Sequence, residues 1–261
     1  MKSVVRIQSR YNPLLKSLRQ LVRSNTAYRE QRRVWVEGDH LARAAMNRGI
    51  RPTLLVVAHS GASGLLAQWE ALVDRCVVVD DALLLELSTL ESPPRLGFVM
   101  PLPEPPPLWA NTPTVILDLL QDAGNVGAIL RSASAFGFQQ VIALKGTAAL
   151  WSSKVVRAGM GAHWGLSLHE GVSPDDLDGL ALPFLVTSSH SGEFLHQLVA
   201  QSKLPSPCAW VFGHEGQGVS LLLQSKAACH VRIAQPGGEE SLNVSSAAAI
   251  CLHASASALN T

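Results

Sequence analysis

The sequence predicts an α/β protein built in two parts, and three observations carry that reading. Residues 114–261 alternate short Val/Ile/Leu-rich runs with helix-like segments, the pattern of a parallel sheet covered by helices on both faces. Prolines then crowd one stretch, at Pro101, Pro103, Pro105, Pro106, Pro107 and Pro113, just after Pro93 and Pro94. Prolines this dense cannot continue a helix or a central strand and favour an extended spacer. Ahead of that spacer a shorter strand–helix alternation stands by itself as a small α/β module. The expected division is a first domain over 1–100, a linker over 101–113 and a second domain over 114–261.

Each element has a local reason. Asn12 is suited to cap a helix with Pro13 at its first position. Leu14, Leu15, Leu18, Leu21 and Val22 then form its apolar stripe, which leaves Lys16, Arg19 and Arg23 elsewhere on its surface. A strand-like VWVEG follows Arg33, then a helix-like stretch from His40 to Asn47. LLVVAHS (54–60) and VVVDD (77–81) read as buried strands, with a helix-like segment over 63–73 between them. In the second part the strand candidates are TVILDLL (114–120), QVIAL (140–144), PFLVTSS (183–189), AWVFG (209–213) and HVRIA (230–234). Helices are expected over 126–136, 152–161, 219–227 and 244–259.

Composition narrows the classes. With 47% hydrophobic and 16% charged residues the chain reads as globular, not disordered. No apolar run approaches the roughly 18 residues of a membrane helix. The start, MKSVVRIQSR, lacks the apolar stretch of a secretory signal, so no membrane partner and a cytoplasmic location are expected. Cys76, Cys208, Cys229 and Cys251 show no metal-ligand spacing and read as free thiols. The nine histidines contain no HExxH, so no metal is expected. The overall +1 charge hides an asymmetry: residues 1–100 carry 14 Lys/Arg against 9 Asp/Glu, and the remainder carries 7 against 11. The basic excess concentrates in residues 1–33, where Arg6, Arg10, Lys16, Arg19, Arg23, Arg29, Arg32 and Arg33 are candidate contacts to a polyanion.

Three polar clusters fall at the carboxyl ends of strand candidates, where ligands bind in open parallel sheets. The first, in NVGAILR (125–131), follows 114–120 and holds Asn125, Gly127 and Arg131, with Asp122 just upstream. Asn125 could cap the next helix, whose free N–H groups attract anions. The second is GHEGQG (213–218), whose Gly213, Gly216 and Gly218 allow close backbone approach beside Glu215. It does not match the G-x-G-x-x-G dinucleotide fingerprint, which argues against an oxidoreductase. The third gathers Gly237, Gly238, Glu239, Glu240, Ser241 and Asn243 before a small-residue helix, VSSAAAICLHASASAL, for which Ser241 or Asn243 could be the cap. Each cluster alone also reads as an ordinary cap or turn.

Together the clusters resemble the SpoU/TrmH group of the SPOUT superfamily, RNA ribose 2′-O-methyltransferases. QDAGNVGAILRSASAFGF is similar to the group's first motif, WVFGHEGQGVS to its second and IAQPGGEESLNVSSAAA to its third, so the resemblance spans 114–261. NPLLKSLRQL and VWVEGDHLARAA look like the group's ribosomal-protein-like RNA-binding domain. Ala123 stands where proline is usual, His214 where asparagine is usual and Ala234-Gln235 where Pro-Met is usual. The resemblance implies a SPOUT domain whose C-terminal segment is threaded as a deep trefoil knot, a homodimer, S-adenosylmethionine as methyl donor and rRNA or tRNA as acceptor. It implies catalytic roles for Arg131, Asn125, Glu215, Ser241 and Asn243 and an adenosine site around Phe212, Gly213, Gly218, Ile233, Leu242 and Val244. The alternatives are a non-catalytic RNA-binding protein that keeps the fold and a base-methylating enzyme of the same superfamily.

Overall fold

In a computed structural model, residues 4–237 and 241–258 are described, and the chain divides into two units. Gly238, Glu239 and Glu240 of the third cluster lie outside the described residues. The first unit combines Met1–Glu104 with Trp151–Trp164; the second combines Pro105–Leu150 with Gly165–Thr261.

The first unit runs β1 (Val5–Ile7), α1 (Pro13–Arg23), α2 (Ala27–Gln31), β2 (Arg33–Glu37), α3 (Asp39–Met46), β3 (Leu54–Ala58), α4 (Ala62–Trp69), β4 (Arg75–Val79), α5 (Asp81–Leu85) and β5 (Leu96–Pro101). Its five strands order as β1-β4-β3-β5-β2, with β5 antiparallel to both neighbours and the other pairs parallel. Asn12 caps α1, its side chain accepting from the Leu14 N–H at 2.9 Å, and Leu15, Leu18, Leu21 and Val22 are buried beneath it. Gly97 in β5 leaves room for the Trp35 ring, since a Cβ there would stand 2.2 Å from a ring carbon. β5 itself corrects the expected linker: it ends at Pro101, opposite Arg33, so the first proline of the cluster closes a strand. At a strand's last residue a missing N–H removes nothing the ladder needs.

The second unit continues with β6 (Thr114–Asp118), α6 (Ala123–Ala135) and β7 (Gln140–Leu144). The chain next enters the segment containing α7 (Ser153–Ala158), which the sequence pattern assigns to the second domain. That segment instead clusters with the first unit, where the Ser153 hydroxyl donates to the Val22 carbonyl at 2.9 Å. There follow β8 (Ser167–Val172), β9 (Phe184–Thr187), β10 (Glu193–Phe194), α8 (Leu195–Ala200), β11 (Ala209–Gly213), α9 (Leu221–Ser225), β12 (Cys229–Arg232) and α10 (Val244–Ala258).

These seven strands form an all-parallel sheet ordered β10-β12-β9-β11-β6-β7-β8. Every residue of β6, β7 and β11 is buried, as continuous apolar strands covered on both faces require. Ile116, Ile142, Val186 and Val211 meet from four strands in one apolar cluster. On α10 the Ser255 hydroxyl accepts from the Trp210 indole at 2.9 Å, and His253 meets the Phe136 ring edge-on at 5.4 Å. These interactions hold α10 against β11 and the end of α6. β11 pairs in register with β6, bringing Gly213 opposite Asp118, so the turns after both strands emerge side by side. β12, the last strand, lies between β9 and β10, both earlier in the chain.

Candidate active site

The turn between β6 and α6 shows why the Asn125 side chain can reach across the site. The cap of α6 is Asp122, whose carboxylate accepts from the Asn125 N–H at 2.7 Å. This corrects the expectation that Asn125 caps the helix: an aspartate three residues earlier already satisfies that N–H. The Asn125 side chain therefore spans two other segments. Its amide donates to Glu215 at 3.2 Å, and its oxygen accepts from the Asn243 amide at 3.0 Å. Glu215 also accepts from the Gln121 and Asp122 backbone N–H groups, at 3.3 and 3.2 Å. Asn243 caps α10, accepting from the Ser245 and Ser246 N–H groups at 2.8 and 3.3 Å. All three polar clusters thus meet in a chain of side chains, Glu215 to Asn125 to Asn243. Burial would raise the Glu215 carboxyl, but hydrogen bonds from its own backbone, Asn125, Asp122 and Gln121 outweigh this and hold it below its ordinary value.

The loop 214–218 is narrow by construction. A Cβ on Gly213 would stand 2.2 Å from the Gly218 carbonyl carbon and the Val219 nitrogen, so the two limbs close only over glycine. Gly218 takes φ +71°, and its N–H donates to the His214 carbonyl at 2.8 Å. The His214 imidazole closes the loop from inside, its Nδ1 accepting from the Gly216 and Gln217 N–H groups at 3.0 and 3.3 Å.

Beside this network lies a cavity of ≈ 620 Å³, within the range of small-molecule sites. All six residues expected to hold adenosine line it: Phe212, Gly213, Gly218, Ile233, Leu242 and Val244. Glu215, Ser241 and Asn243 line it as well. Sequence reasoning missed Thr187 at the end of β9 and Ser188, Ser189 and His190 after it, together with His230 and Gln235. The only signal was the run of small polar residues that ends PFLVTSS.

Arg131 is placed differently. It is exposed, does not line the cavity, and its side chain forms no hydrogen bond or ion pair with any described residue. Six residues beyond Asn125 on α6, it stands about 9 Å further along the axis and on another face.

The N-terminal cations also divide. Arg6 pairs with Asp80 at 3.1 Å, Arg10 and Arg19 share Glu86 at 3.2 and 2.8 Å, and Arg32 pairs with Glu104. Arg33 turns toward Ser17 and Gln31, and Arg29 toward the Tyr28 hydroxyl. Lys16 and Arg23 are exposed on α1 without a side-chain partner among the described residues. The expected eight-residue footprint is therefore partly neutralised, because acidic residues from distant segments fold against it.

A parallel α/β sheet with a small-molecule cavity and a polar network at the carboxyl ends of its strands defines a class of enzymes that bind a nucleotide-like cofactor there. Residues 112–253 match the model of the SpoU rRNA Methylase family, and the chain belongs to that family. It is 28% identical to the 23S rRNA (guanosine(2553)-2′-O)-methyltransferase RlmP of Bacillus subtilis, over 84% of this chain and 86% of that protein. A crystal structure of an RNA 2′-O ribose methyltransferase superposes with a TM-score of 0.79 at 30% identity, covering 98% of both chains. The SpoU methyltransferase AviRb from Streptomyces viridochromogenes, solved with AdoMet, shares the fold at a TM-score of 0.83 and 21% identity, over 96% of this chain and 99% of that one.

Proposed function

We propose that this protein transfers the methyl group of S-adenosylmethionine to a ribose 2′-oxygen of ribosomal RNA. The observation that carries the reading is the Glu215–Asn125–Asn243 network at the rim of the cavity, which ties three sequence motifs into one site. The cavity fits the donor: its walls are apolar at Phe212, Ile233 and Leu242 and polar at Ser188, Ser189 and Gln217. The bound sulfonium supplies an activated methyl and a neutral leaving group. Phe212, Gly213, Gly218, Ile233, Leu242 and Val244 hold adenosine, and Ser241 and Asn243 line the same cavity just before the start of α10.

The rest of the work is positioning, which at its limit contributes roughly 7–11 kcal/mol. Arg131, exposed and unpaired among the described residues, clamps a phosphate of bound RNA and stabilises charge developing on the 2′-oxygen. Arginine stays protonated in proteins, so the 2′-proton leaves by another acceptor. Asn125 orients the ribose, and Glu215 holds Asn125 and the 121–122 backbone in place.

The first unit is the RNA-binding domain, with the exposed Lys16 and Arg23 as the principal cations and the partnered arginines in support. The place of β12 between the earlier strands β9 and β10 supports a trefoil knot. Exposed Leu242 and Ile250, at and near α10, support a homodimer through that helix. Four free cysteines, three of them buried, fit a reducing cytoplasm.

The test is to incubate the protein with methyl-labelled S-adenosylmethionine and, in parallel, ribosomal RNA or transfer RNA, then resolve the nucleosides by mass spectrometry. Label in a 2′-O-methylnucleoside is the expected result. Label in a base, or only in transfer RNA, would replace the acceptor named here, and no label would favour a binding protein.

A further inference from the structure

His214 follows Gly213 at the head of the glycine loop, and its ring is folded back onto that loop. Its Nδ1 accepts from two backbone N–H groups of the next turn, Gly216 at 3.0 Å and Gln217 at 3.3 Å. An asparagine side-chain oxygen can make the same local turn. The two groups differ in one property: an amide does not titrate near neutrality, whereas an imidazole does. Two backbone donors on one ring nitrogen also dictate its state, because only an unprotonated Nδ1 accepts.

We propose that His214 is a positioning residue whose neutral imidazole latches the 214–218 loop and thereby holds Glu215, so that the site is assembled only while Nδ1 is unprotonated. His214 and Gly218 pair as an antiparallel bridge, and the imidazole adds two hydrogen bonds inside the loop. The limbs have no slack: the backbone at 218–219 packs directly against Gly213. Protonation would aim an N–H at two N–H groups and release the turn. Glu215 is the next residue, and its carboxylate is what joins the loop to Gln121, Asp122 and Asn125. Among the described residues, the other titratable groups on this cavity and its network are Glu215, Asp122 and Asp118 at the β6–α6 side, His190 after β9 and His230 on β12. None of them bonds to the His214 ring among the described residues, so the latch is local to the loop.

The consequence for catalysis rests on the proposed function; the latch does not. The first experiment is therefore NMR on the protein without RNA, wild type against His214→Asn and His214→Ala, between about pH 5 and 8. The wild type should show Nδ1 unprotonated at neutral pH and exchange-protected Gly216 and Gln217 amides, with both protections lost together as His214 titrates. His214→Asn should keep the protections throughout, and His214→Ala should lack them. The second readout is S-adenosylhomocysteine affinity and methyl transfer to ribosomal RNA over the same range. In the wild type both should fall tenfold per pH unit on the acid side, and His214→Asn should lose that limb while His190 and His230 remain.

A protonated Nδ1 at neutral pH, pH-independent amide protection, or an identical acid limb in His214→Asn would each overturn the proposal. Should His214→Ala fail to fold, the wild-type amides and the asparagine variant still decide it. Protected amides that follow His214, without transfer at any pH, would sink the methyltransferase reading and leave the latch standing.

Discussion

Substituting Glu215 by glutamine tests the centre of the site. The carboxylate accepts three hydrogen bonds from other residues, the Gln121 and Asp122 backbones and the Asn125 amide, at 3.2–3.3 Å. Bonds to a charged group contribute about 1.5–3 kcal/mol each when short and buried. Here the group is exposed and the bonds are long, so screening reduces each to no more than about 1 kcal/mol. Glutamine keeps the shape and one acceptor oxygen but turns an NH₂ toward a donor, so one or two of the three bonds are lost. The expected penalty is about 1–2 kcal/mol, a five- to thirtyfold fall in the ordered site. Methyl transfer under subsaturating RNA should fall by that factor, with S-adenosylhomocysteine affinity falling less. In a unit of this size the same energy moves Tm by only about 2–8 °C, so the variant stays folded at assay temperature. Because hydrogen bonding holds the Glu215 carboxyl below its ordinary value, its contribution is present above the usual carboxylate range and is lost only as pH falls through the lowered value. Glu215 therefore stays ionised where histidine titrates. A glutamine variant that transfers methyl groups within twofold of wild type would refute the reasoning.

Four further outcomes are expected. Arg131→Ala should abolish methyl transfer while S-adenosylhomocysteine binding, read by calorimetry, persists; loss of binding by the folded variant would assign the arginine to the cofactor site instead. Gly213→Ala places a Cβ against backbone that cannot withdraw, so S-adenosylhomocysteine affinity should drop at least tenfold, about 1.4 kcal/mol. Neutralising Lys16 and Arg23 together should weaken RNA binding and flatten its salt dependence by roughly 0.7–0.9 for each phosphate no longer neutralised, whereas the same change at Arg19 and Arg33 should leave the slope nearly unaltered. Burial pushes the Cys208 thiol up to about 11 and Cys251 higher still, so native protein should expose only Cys229 to a thiol reagent at pH 8 and all four thiols in denaturant.

The sheet of the second unit is legible in the sequence because its central strands are buried on both faces and so carry uninterrupted apolar runs: QVIAL and AWVFG coincide residue for residue with β7 and β11. The shorter strands carry no such signal. β10 has two residues, β8 mixes His169 and Glu170 into its run, and β5 begins just after a Pro-Pro pair and needs Gly97 only because Trp35 lies across it. Glycines and small polar residues mark the cavity, since close approach of backbone demands them whatever the fold. What sequence spacing does not encode is pairing at a distance. Nothing near Asn125 announces Glu215, 90 positions on, and nothing near Arg19 announces Glu86. The cap of α6 is legible in principle, because Asp122 stands three residues before Asn125, but both residue types cap helices and local sequence does not choose between them.

The excursion of residues 151–164 into the first unit has a consequence for how this polypeptide is made. α7 leans on α1 and β2, and Gly161, at φ +89°, lets the backbone sit where a Cβ would stand 2.4 Å from that of Ala44. A ribosome that has released residues 1–104 has therefore delivered an incomplete body, which gains its last piece only after β6, α6 and β7 have emerged. The chain passes between the units three times, so no single cut separates them into intact halves. A fragment ending near residue 104 should be less stable than the same unit in the whole protein, and adding residues 151–164 as a separate peptide should restore part of the difference.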